Sequence, residues 1–204
     1  GYSNSEVKNI RARYAGEVTM VDTWFGRLLD TIGHLGIEDD TLLLFTSDHG
    51  IYLDYPGDNG LICKPHIVGC DGAIMSAGQA PKKPLRYFPH WTGVCHIPLL
   101  VRAPGQEEGR RCDAIVQPWD LTATIMDAFE MQRPEELWGQ SLLPLLTSDG
   151  QGERESAVLG NDAHAQVMTS RWSYSIWRAH DQQILYDLED DPNQTTNVAD
   201  DYPQ

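Results

Sequence analysis

The chain has 204 residues, 41% of them hydrophobic, so it is long enough to bury a sizeable apolar core and is expected to be globular. Its 30 acidic residues outnumber 15 basic ones, which gives a formal net charge of −15. A field of that sign repels phosphate backbones and anionic membranes, which excludes nucleic acid as an expected partner. No apolar run approaches the roughly 20 residues of a membrane span, so none is predicted.

The first predicted element is a long amphipathic helix. Apolar residues recur at steps of three and four from Val7 to Leu35, and Gly36 is predicted to end the helix. The apolar run Leu42–Phe45 then predicts a strand buried on both faces. Because a helix leads directly into a buried strand, we expect an α/β fold with a mostly parallel sheet and flanking helices.

Residues 51–91 show no convincing period and predict a long loop, which in a compact domain is usually functional or disordered. Further along, Ile97–Arg102 and Ala114–Val116 predict two more strands, and Asp120 is predicted to cap a helix from Leu121 to about Met131. Short alternating segments then predict a small antiparallel sheet at 157–159, 166–169, 172–177 and 183–188. We therefore divide the chain into an α/β part, residues 1–147, and a small C-terminal subdomain, residues 148–204.

The four cysteines, Cys63, Cys70, Cys95 and Cys112, form no C-x-x-C pair and no zinc-binding spacing. The pattern favours unpaired residues, with a Cys63–Cys70 bridge as the alternative if the protein is exported. The compartment, cytoplasmic or exported, stays open.

Asp48 and His49 are the first candidate site residues, because they directly follow the first predicted strand and ligands of open α/β sheets bind beyond the carboxyl ends of strands. Asp48 offers the oxygen ligand that Ca²⁺ prefers. His49 is better suited to Mn²⁺ or Zn²⁺, or to hydrogen bonding with an anion. The alternative is an Asx-type turn with His49 exposed.

Lys64 is the second candidate, since an anionic substrate of this acidic chain needs local positive charge. Its alternative is a solvated loop lysine. His90 and His96 stand beside apolar residues and are interpreted as structural histidines. The aromatic residues of the C-terminal segments could form a carbohydrate platform, but strand core packing is favoured for this group, which comprises Trp172, Tyr174, Trp177 and Tyr186.

Several segments resemble the sulfatase family in order along nearly the whole chain. They are YAGEVTMVD at 14–22, TLLLFTSDHG at 41–50, GDNGLICK at 57–64, HIPLLVRAPG at 96–105, DLTATIMD at 120–127 and GQSL at 139–142, followed by the tail from Leu185 to Asn197. The resemblance implies an alkaline phosphatase-like α/β fold. The activity it implies is the hydrolysis of sulfate esters of a small molecule or carbohydrate. It also implies a formylglycine made from Cys or Ser and one divalent cation, usually Ca²⁺, alternatively Mn²⁺ or Mg²⁺.

The resemblance also assigns roles to individual residues. Asp48 and His49 match the second pair of metal-site residues in the family, with His49 also placed to bind the sulfate. Lys64 matches the lysine that contacts the sulfate and helps neutralise charge at the leaving oxygen. A cation and an ammonium around a sulfuryl group stabilise the charge that builds on its oxygens.

The nucleophile motif of the family, Cys/Ser-x-Pro/Ala-x-Arg, is not found in this sequence. The preferred interpretation is therefore the C-terminal portion of a sulfatase, with the nucleophile supplied by the missing N-terminal half. The N-terminal residues, which run straight into the first helix, are those expected of a segment cut from a longer protein. Two alternatives stay open: a phosphodiesterase or phosphonate monoester hydrolase of the same superfamily, and a non-catalytic vestigial module.

Overall fold

The structure, a computed structural model, describes residues 2–58, 62–63, 89–106, 109–147, 152–161, 164–177 and 180–202. Its helices are α1 (Asn4–Leu35), α2 (Thr92–Cys95) and α3 (Pro118–Ala128), with short 3₁₀ turns at Glu38–Asp40, Leu143–Leu146 and Ala199–Asp201. Its strands are β1 (Leu43–Thr46), β2 (Tyr52–Leu53), β3 (Ile62–Cys63), β4 (Leu99–Arg102), β5 (Ala157–Asn161), β6 (His164–Met168), β7 (Trp172–Trp177) and β8 (His180–Asp187).

Helix α1 confirms the predicted long amphipathic helix and begins three residues earlier, at Asn4. A capping box explains that start: Ser3 accepts a hydrogen bond from the Glu6 amide, and the Glu6 side chain bonds back to the Ser3 amide. Gly36 ends the helix as predicted, because its φ of 63° lies in the left-handed region. No helix in the described ranges is long and apolar enough to cross a membrane.

Much of the apolar stripe of α1 is uncovered in this chain. Phe25 packs against Phe45 of β1, with ring centroids 4.7 Å apart, and Val7 and Ile32 are buried. Other members of the stripe are between 39% and 66% exposed: Tyr14, Val18, Val21, Leu28 and Leu35. The helix therefore offers more apolar surface than the described residues cover.

Strands β1 and β4 pair antiparallel, with Leu43 opposite Arg102 and Thr46 opposite Leu99. The predicted parallel sheet is not observed, since every strand pair within the described ranges is antiparallel. The prediction that this strand is buried on both faces is also wrong, since Leu43, Leu44 and Phe45 are half-buried and Thr46 is exposed. A short apolar run does not identify the neighbour of a strand, so the pattern could not fix the direction. The predicted strand at Ala114–Val116 is wrong, because these residues form an irregular segment leading into α3.

Residues 51–91 contain more order than the sequence predicted. Tyr52 and Leu53 of β2 pair with Ile62 and Cys63 of β3. Most of the remaining predicted loop, residues 59–61 and 64–88, lies outside the described residues.

The predicted C-terminal antiparallel sheet is confirmed, with strand order β5-β6-β7-β8. Trp177, Ile184 and Tyr186 of this sheet form one buried cluster with Tyr52 and Trp91. The core-packing interpretation is thus confirmed for Trp177 and Tyr186. The cluster joins residues from both predicted parts of the chain, while the boundary at residue 147 itself stays a prediction.

Helix α3 overlaps the predicted helix, but it begins three residues earlier, at Pro118, and ends at Ala128 rather than near Met131. Its cap is Gln117 rather than the predicted Asp120, which lies in the first turn and accepts hydrogen bonds from the amides of Gln117 (2.7 Å) and Gln140 (2.9 Å). The guanidinium of Arg154 pairs with both oxygens of this fully buried carboxylate. Burial alone would raise the pKa of Asp120, but these hydrogen bonds and the charge of Arg154 lower it.

Candidate metal and anion site

Asp48 and His49 lie side by side just beyond the end of β1. Oδ2 of Asp48 is 3.2 Å from Nε2 of His49, and the Asp48 side chain is 82% exposed against 35% for His49. The Ser47 hydroxyl donates to the His49 carbonyl (2.8 Å), and the His49 amide donates to Oδ1 of Asp48 (2.9 Å). The turn therefore brings a carboxylate and an imidazole together at an open surface.

The contact made by Nδ1, the second ring nitrogen of His49, determines the role that is left for Nε2. Nδ1 lies 2.8 Å from the carbonyl oxygen of Gly50, which can only accept a hydrogen bond, so Nδ1 carries the proton. In the neutral ring Nε2 then presents a lone pair toward a carboxylate oxygen of Asp48. Two such acceptors facing each other are stabilised by a proton or a cation between them.

Gly50 is packed directly against the backbone of α2. Its amide donates to the Val94 carbonyl (2.7 Å), and a β-carbon on Gly50 would overlap the Gly93 carbonyl oxygen. Gly93 is equally confined, because a β-carbon there would lie 2.6 Å from Oδ1 of Asp58. The sequence indicated only a sharp bend at Gly50, whereas the structure adds a close approach of two backbones.

Asp58 binds the backbone of the turn after β2. It is buried, and its Oδ2 accepts hydrogen bonds from the amides of Leu53 (2.8 Å) and Tyr55 (2.9 Å). Gly57, with a φ of 95°, makes the turn before it. These bonds hold the turn that follows β2. Lys64, the predicted catalytic and sulfate-contacting residue, lies outside the described residues.

The segment entering α2 is held by side chains from distant parts of the chain. The amide of His90 donates to Gln166 Oε1 (2.7 Å), that of Trp91 to the Tyr52 hydroxyl (3.1 Å) and that of Thr92 to Gln194 Oε1 (2.9 Å). Both glutamines are fully buried. No sequence pattern indicated them, because no motif marks a glutamine as a hydrogen-bond partner of the backbone.

The histidines interpreted as structural lie away from the Asp48–His49 pair in sequence and differ in burial. His90 packs its ring against His164, with centroids 5.1 Å apart, whereas His96 is exposed. Burial and the neighbouring His90 lower the pKa of His164 to about 4. Cys95 and Cys112 are free, as predicted, while Cys70 and the side chain of Cys63 lie outside the described residues.

The donor set of Asp48 and His49 fits part of a metal site. Carboxylate oxygen suits Ca²⁺, Mg²⁺ and Mn²⁺, and the unprotonated Nε2 of His49 suits Mn²⁺. Within the described ranges, no group of three or more His, Cys, Asp or Glu side chains could hold a metal ion. Further ligands would therefore have to come from residues outside those ranges.

Comparison with known proteins identifies the family. The sulfatase family model matches residues 1–131, and the model of the C-terminal region of N-sulphoglucosamine sulphohydrolase matches residues 90–204. The chain belongs to the sulfatase family. Arylsulfatase K of Xenopus laevis is 25% identical over 219 residues, covering 100% of this chain and 36% of that protein.

Two further similar proteins are a choline-sulfatase and a phosphonate monoester hydrolase. Choline-sulfatase of Rhizobium meliloti (strain 1021) is 28% identical over 209 residues, or 97% of this chain and 34% of that protein. The crystal structure of phosphonate monoester hydrolase from Agrobacterium radiobacter matches with a TM-score of 0.74 and 27% identity, over 98% of this chain and 39% of that one. The chain thus spans about a third of the length of the curated relatives it matches.

Proposed function

We propose that this chain is the C-terminal portion of a sulfuric ester hydrolase and supplies part of its metal and sulfate site. The observation that carries the proposal is the Asp48–His49 pair at the end of β1, within a chain that sulfatase relatives match from end to end. The nucleophile, a formylglycine made from Cys or Ser, and the remaining metal ligands belong to the N-terminal half of the same protein.

Asp48 and His49 would hold the cation, Ca²⁺ in the first instance and Mn²⁺ or Mg²⁺ as alternatives. When bound, the cation supplies positive charge against the sulfuryl oxygens, where negative charge develops in the transition state. His49 keeps Nε2 available for the cation or the sulfate because Nδ1 is committed to the Gly50 carbonyl, 2.8 Å away. Asp48 contributes a full negative charge to a divalent ion.

Lys64 is assigned to the sulfate. Its ammonium group would bind a sulfate oxygen and neutralise charge at the leaving oxygen, which compensates for the net charge of −15 that repels anions. The substrate is a sulfated small molecule or carbohydrate.

The exposed stripe of α1 supports the presence of an N-terminal half. Val18, Val21 and Leu28 are about half exposed, at 51%, 48% and 50%, on one face of the helix, whereas Phe25 packs against Phe45 of β1. A stripe of this kind on a soluble helix normally faces a core. The missing sheet strands of an alkaline phosphatase-like fold would cover it.

A second function is carried by the phosphonate monoester hydrolase structure, which matches 98% of the chain with a TM-score of 0.74. The cation and the lysine proposed above would also serve a hydrolase of phosphonate monoesters or phosphate diesters, since these substrates, like sulfate esters, are tetrahedral oxyanion esters. The residues assigned above do not separate the two classes.

The test compares turnover of 4-nitrophenyl sulfate and 4-nitrophenyl phenylphosphonate by the complete protein, produced with a formylglycine-generating enzyme and supplied with Ca²⁺. A higher kcat/KM on the sulfate ester supports the sulfatase proposal. A higher value on the phosphonate makes the second function the correct one. No turnover of either, with the formylglycine verified by mass spectrometry, would support a vestigial module and contradict both.

A further inference from the structure

Gln166 occupies an unusual place in β6. Its side chain is fully buried and pairs with both backbone polar groups of His90, which is 76 residues away. The His90 amide donates to Oε1 (2.7 Å), and Nε2 donates to the His90 carbonyl oxygen (3.0 Å). The side-chain amide thus pairs with His90 as a neighbouring strand would.

A third hydrogen bond fixes the orientation of that amide. Nε2 of Gln166 also donates to Oγ of Ser173, a fully buried residue of β7, over 2.9 Å. Rotating the amide by half a turn would set donor against donor at the His90 N–H and acceptor against acceptor at its carbonyl. Gln166 is therefore held by the C-terminal sheet in the one orientation that clamps His90.

The clamp is connected to His49 through a short series of contacts. His90 directly precedes Trp91, the N-cap of α2, and the Val94 carbonyl of α2 accepts from the Gly50 amide over 2.7 Å. The Gly50 carbonyl in turn accepts from Nδ1 of His49 over 2.8 Å. Because Gly50 also touches the Gly93 backbone, α2 cannot shift without moving the carbonyl that sets the His49 ring.

We propose that Gln166 is a positioning residue for His49: by clamping His90 it holds α2 against Gly50 and so keeps Nε2 of His49 directed at the cation shared with Asp48. The inference rests on the proposed function, since it takes Asp48 and His49 as metal ligands. Through Gln166 the C-terminal sheet would take part in positioning His49. The role proposed for Gln166 is indirect and involves no contact with the cation or the substrate.

The experiment measures Mn²⁺ affinity of the complete protein by calorimetry. Gln166→Met keeps the length of the side chain and removes all three hydrogen bonds, and Gln183→Met, at an exposed position of β8, is the matched control. Both changes are also made in a His49→Ala background. Pulsed electron paramagnetic resonance records the nitrogen modulation that His49 contributes to bound Mn²⁺, a signal that a general loss of stability would not change.

The expected result is a Kd for Mn²⁺ raised about tenfold by Gln166→Met and unchanged by Gln183→Met, in the range found for residues that orient metal ligands. In the His49→Ala background, Gln166→Met should add nothing further, because the residue it acts through is gone. The nitrogen modulation should fall in Gln166→Met as it does in His49→Ala.

An unchanged Kd in Gln166→Met, with a raised Kd in His49→Ala, would overturn the positioning role and leave the metal site standing. Equal losses in both backgrounds would also overturn it, since Gln166 would then act on the fold at large. No effect of either His49→Ala or Asp48→Ala would overturn the metal site and the positioning role together. If Gln166→Met does not fold, Ser173→Ala, which removes one of the three bonds, is judged by the same criteria with a smaller expected loss.

Discussion

Gly50 and Gly93 touch backbone to backbone: the Gly50 amide donates to the carbonyl of Val94 over 2.7 Å, and no side chain fits between the two glycines. The contact places the turn that carries Asp48 and His49 on helix α2. Neither glycine has an unusual φ, so the requirement for glycine here is one of space rather than of backbone conformation.

Gly50→Ala should therefore lower the free energy of unfolding by about 2 kcal/mol or more, since the new methyl group would force two packed backbones apart. Gly16→Ala is the control, because nothing lies within 4 Å of a β-carbon at that helical position. That change should raise stability by about 0.5–1 kcal/mol. Denaturant unfolding of the complete protein measures both, and equal effects of the two substitutions would refute the close-contact explanation.

Asp120 is a second position at which a single substitution should strongly lower the free energy of unfolding. Asp120→Ala leaves Arg154, which is 13% exposed, and two backbone amides without their partner, so we expect a loss of about 3–5 kcal/mol. Asp127→Ala, on the same helix, breaks an ion pair with Arg133 of 3.0 Å between partly exposed side chains and should cost about 0–1 kcal/mol. Urea midpoints of the two variants make the comparison, and similar midpoints would contradict it.

The lowered pKa of His164 predicts that the folded protein loses stability in acid. The folded-state pKa is about 4, against 6.5 for an ordinary histidine, so the unfolded chain binds a proton between these values that the folded chain does not. Stability therefore falls as pH drops from about 7 toward 4, by about 2 kcal/mol at pH 5.

His164→Phe keeps a ring against Trp177 and His90 and should reduce that pH dependence, since neither ring nitrogen of His164 has a hydrogen-bond partner within the described ranges. His34→Gln, on exposed α1, should leave it unchanged. Thermal unfolding at pH 7 and pH 5 decides the matter. The same drop in Tm for His164→Phe as for the wild type would show that other groups cause it.

The α1 stripe gives a prediction about the complete protein. Val21 and Thr23 are both exposed in this chain, but only Val21 belongs to the stripe. If the N-terminal half covers the stripe, Val21→Cys should react with a thiol reagent at least about tenfold more slowly than Thr23→Cys on the opposite side. Mass spectrometry separates these sites from the native cysteines, and equal rates at residues 21 and 23 would show that the stripe is uncovered.

Elements with strong local patterns were predictable from the sequence. Features that depend on residues far apart in the chain, such as the direction of a strand pair, were not. Periodicity was sufficient for α1 and for the C-terminal sheet. The selection of Asp48 and His49 as site residues, made from their position after a strand, stays a prediction. The direction of the β1–β4 pair was not predictable, because a short apolar run does not identify the strand that pairs with it.

Gln166, in β6 of the C-terminal sheet, shows the same limit. Along β6 the polar Gln166 is buried while the neighbouring Val167 is 41% exposed, the reverse of what hydrophobic alternation indicates. Its partner His90 is 76 residues away, so no local pattern could reveal the clamp. Residues that act by holding another segment have no motif of their own, and only the packed structure brings them together.

We propose that Asp48 and Lys64 serve one cation-dependent hydrolytic site. The most direct test of this proposal is turnover of 4-nitrophenyl sulfate by the complete protein as a function of Ca²⁺ concentration. Asp48→Asn and Lys64→Ala are compared with Asp54→Asn and Lys8→Ala, whose residues are not assigned to the site. We predict a fall in kcat/KM of about 100-fold or more in both site variants and wild-type turnover in both controls. The Ca²⁺ concentration that gives half-maximal turnover should rise in Asp48→Asn alone, because that variant binds Ca²⁺ more weakly. Wild-type turnover and Ca²⁺ dependence in a folded Asp48→Asn variant would contradict the account.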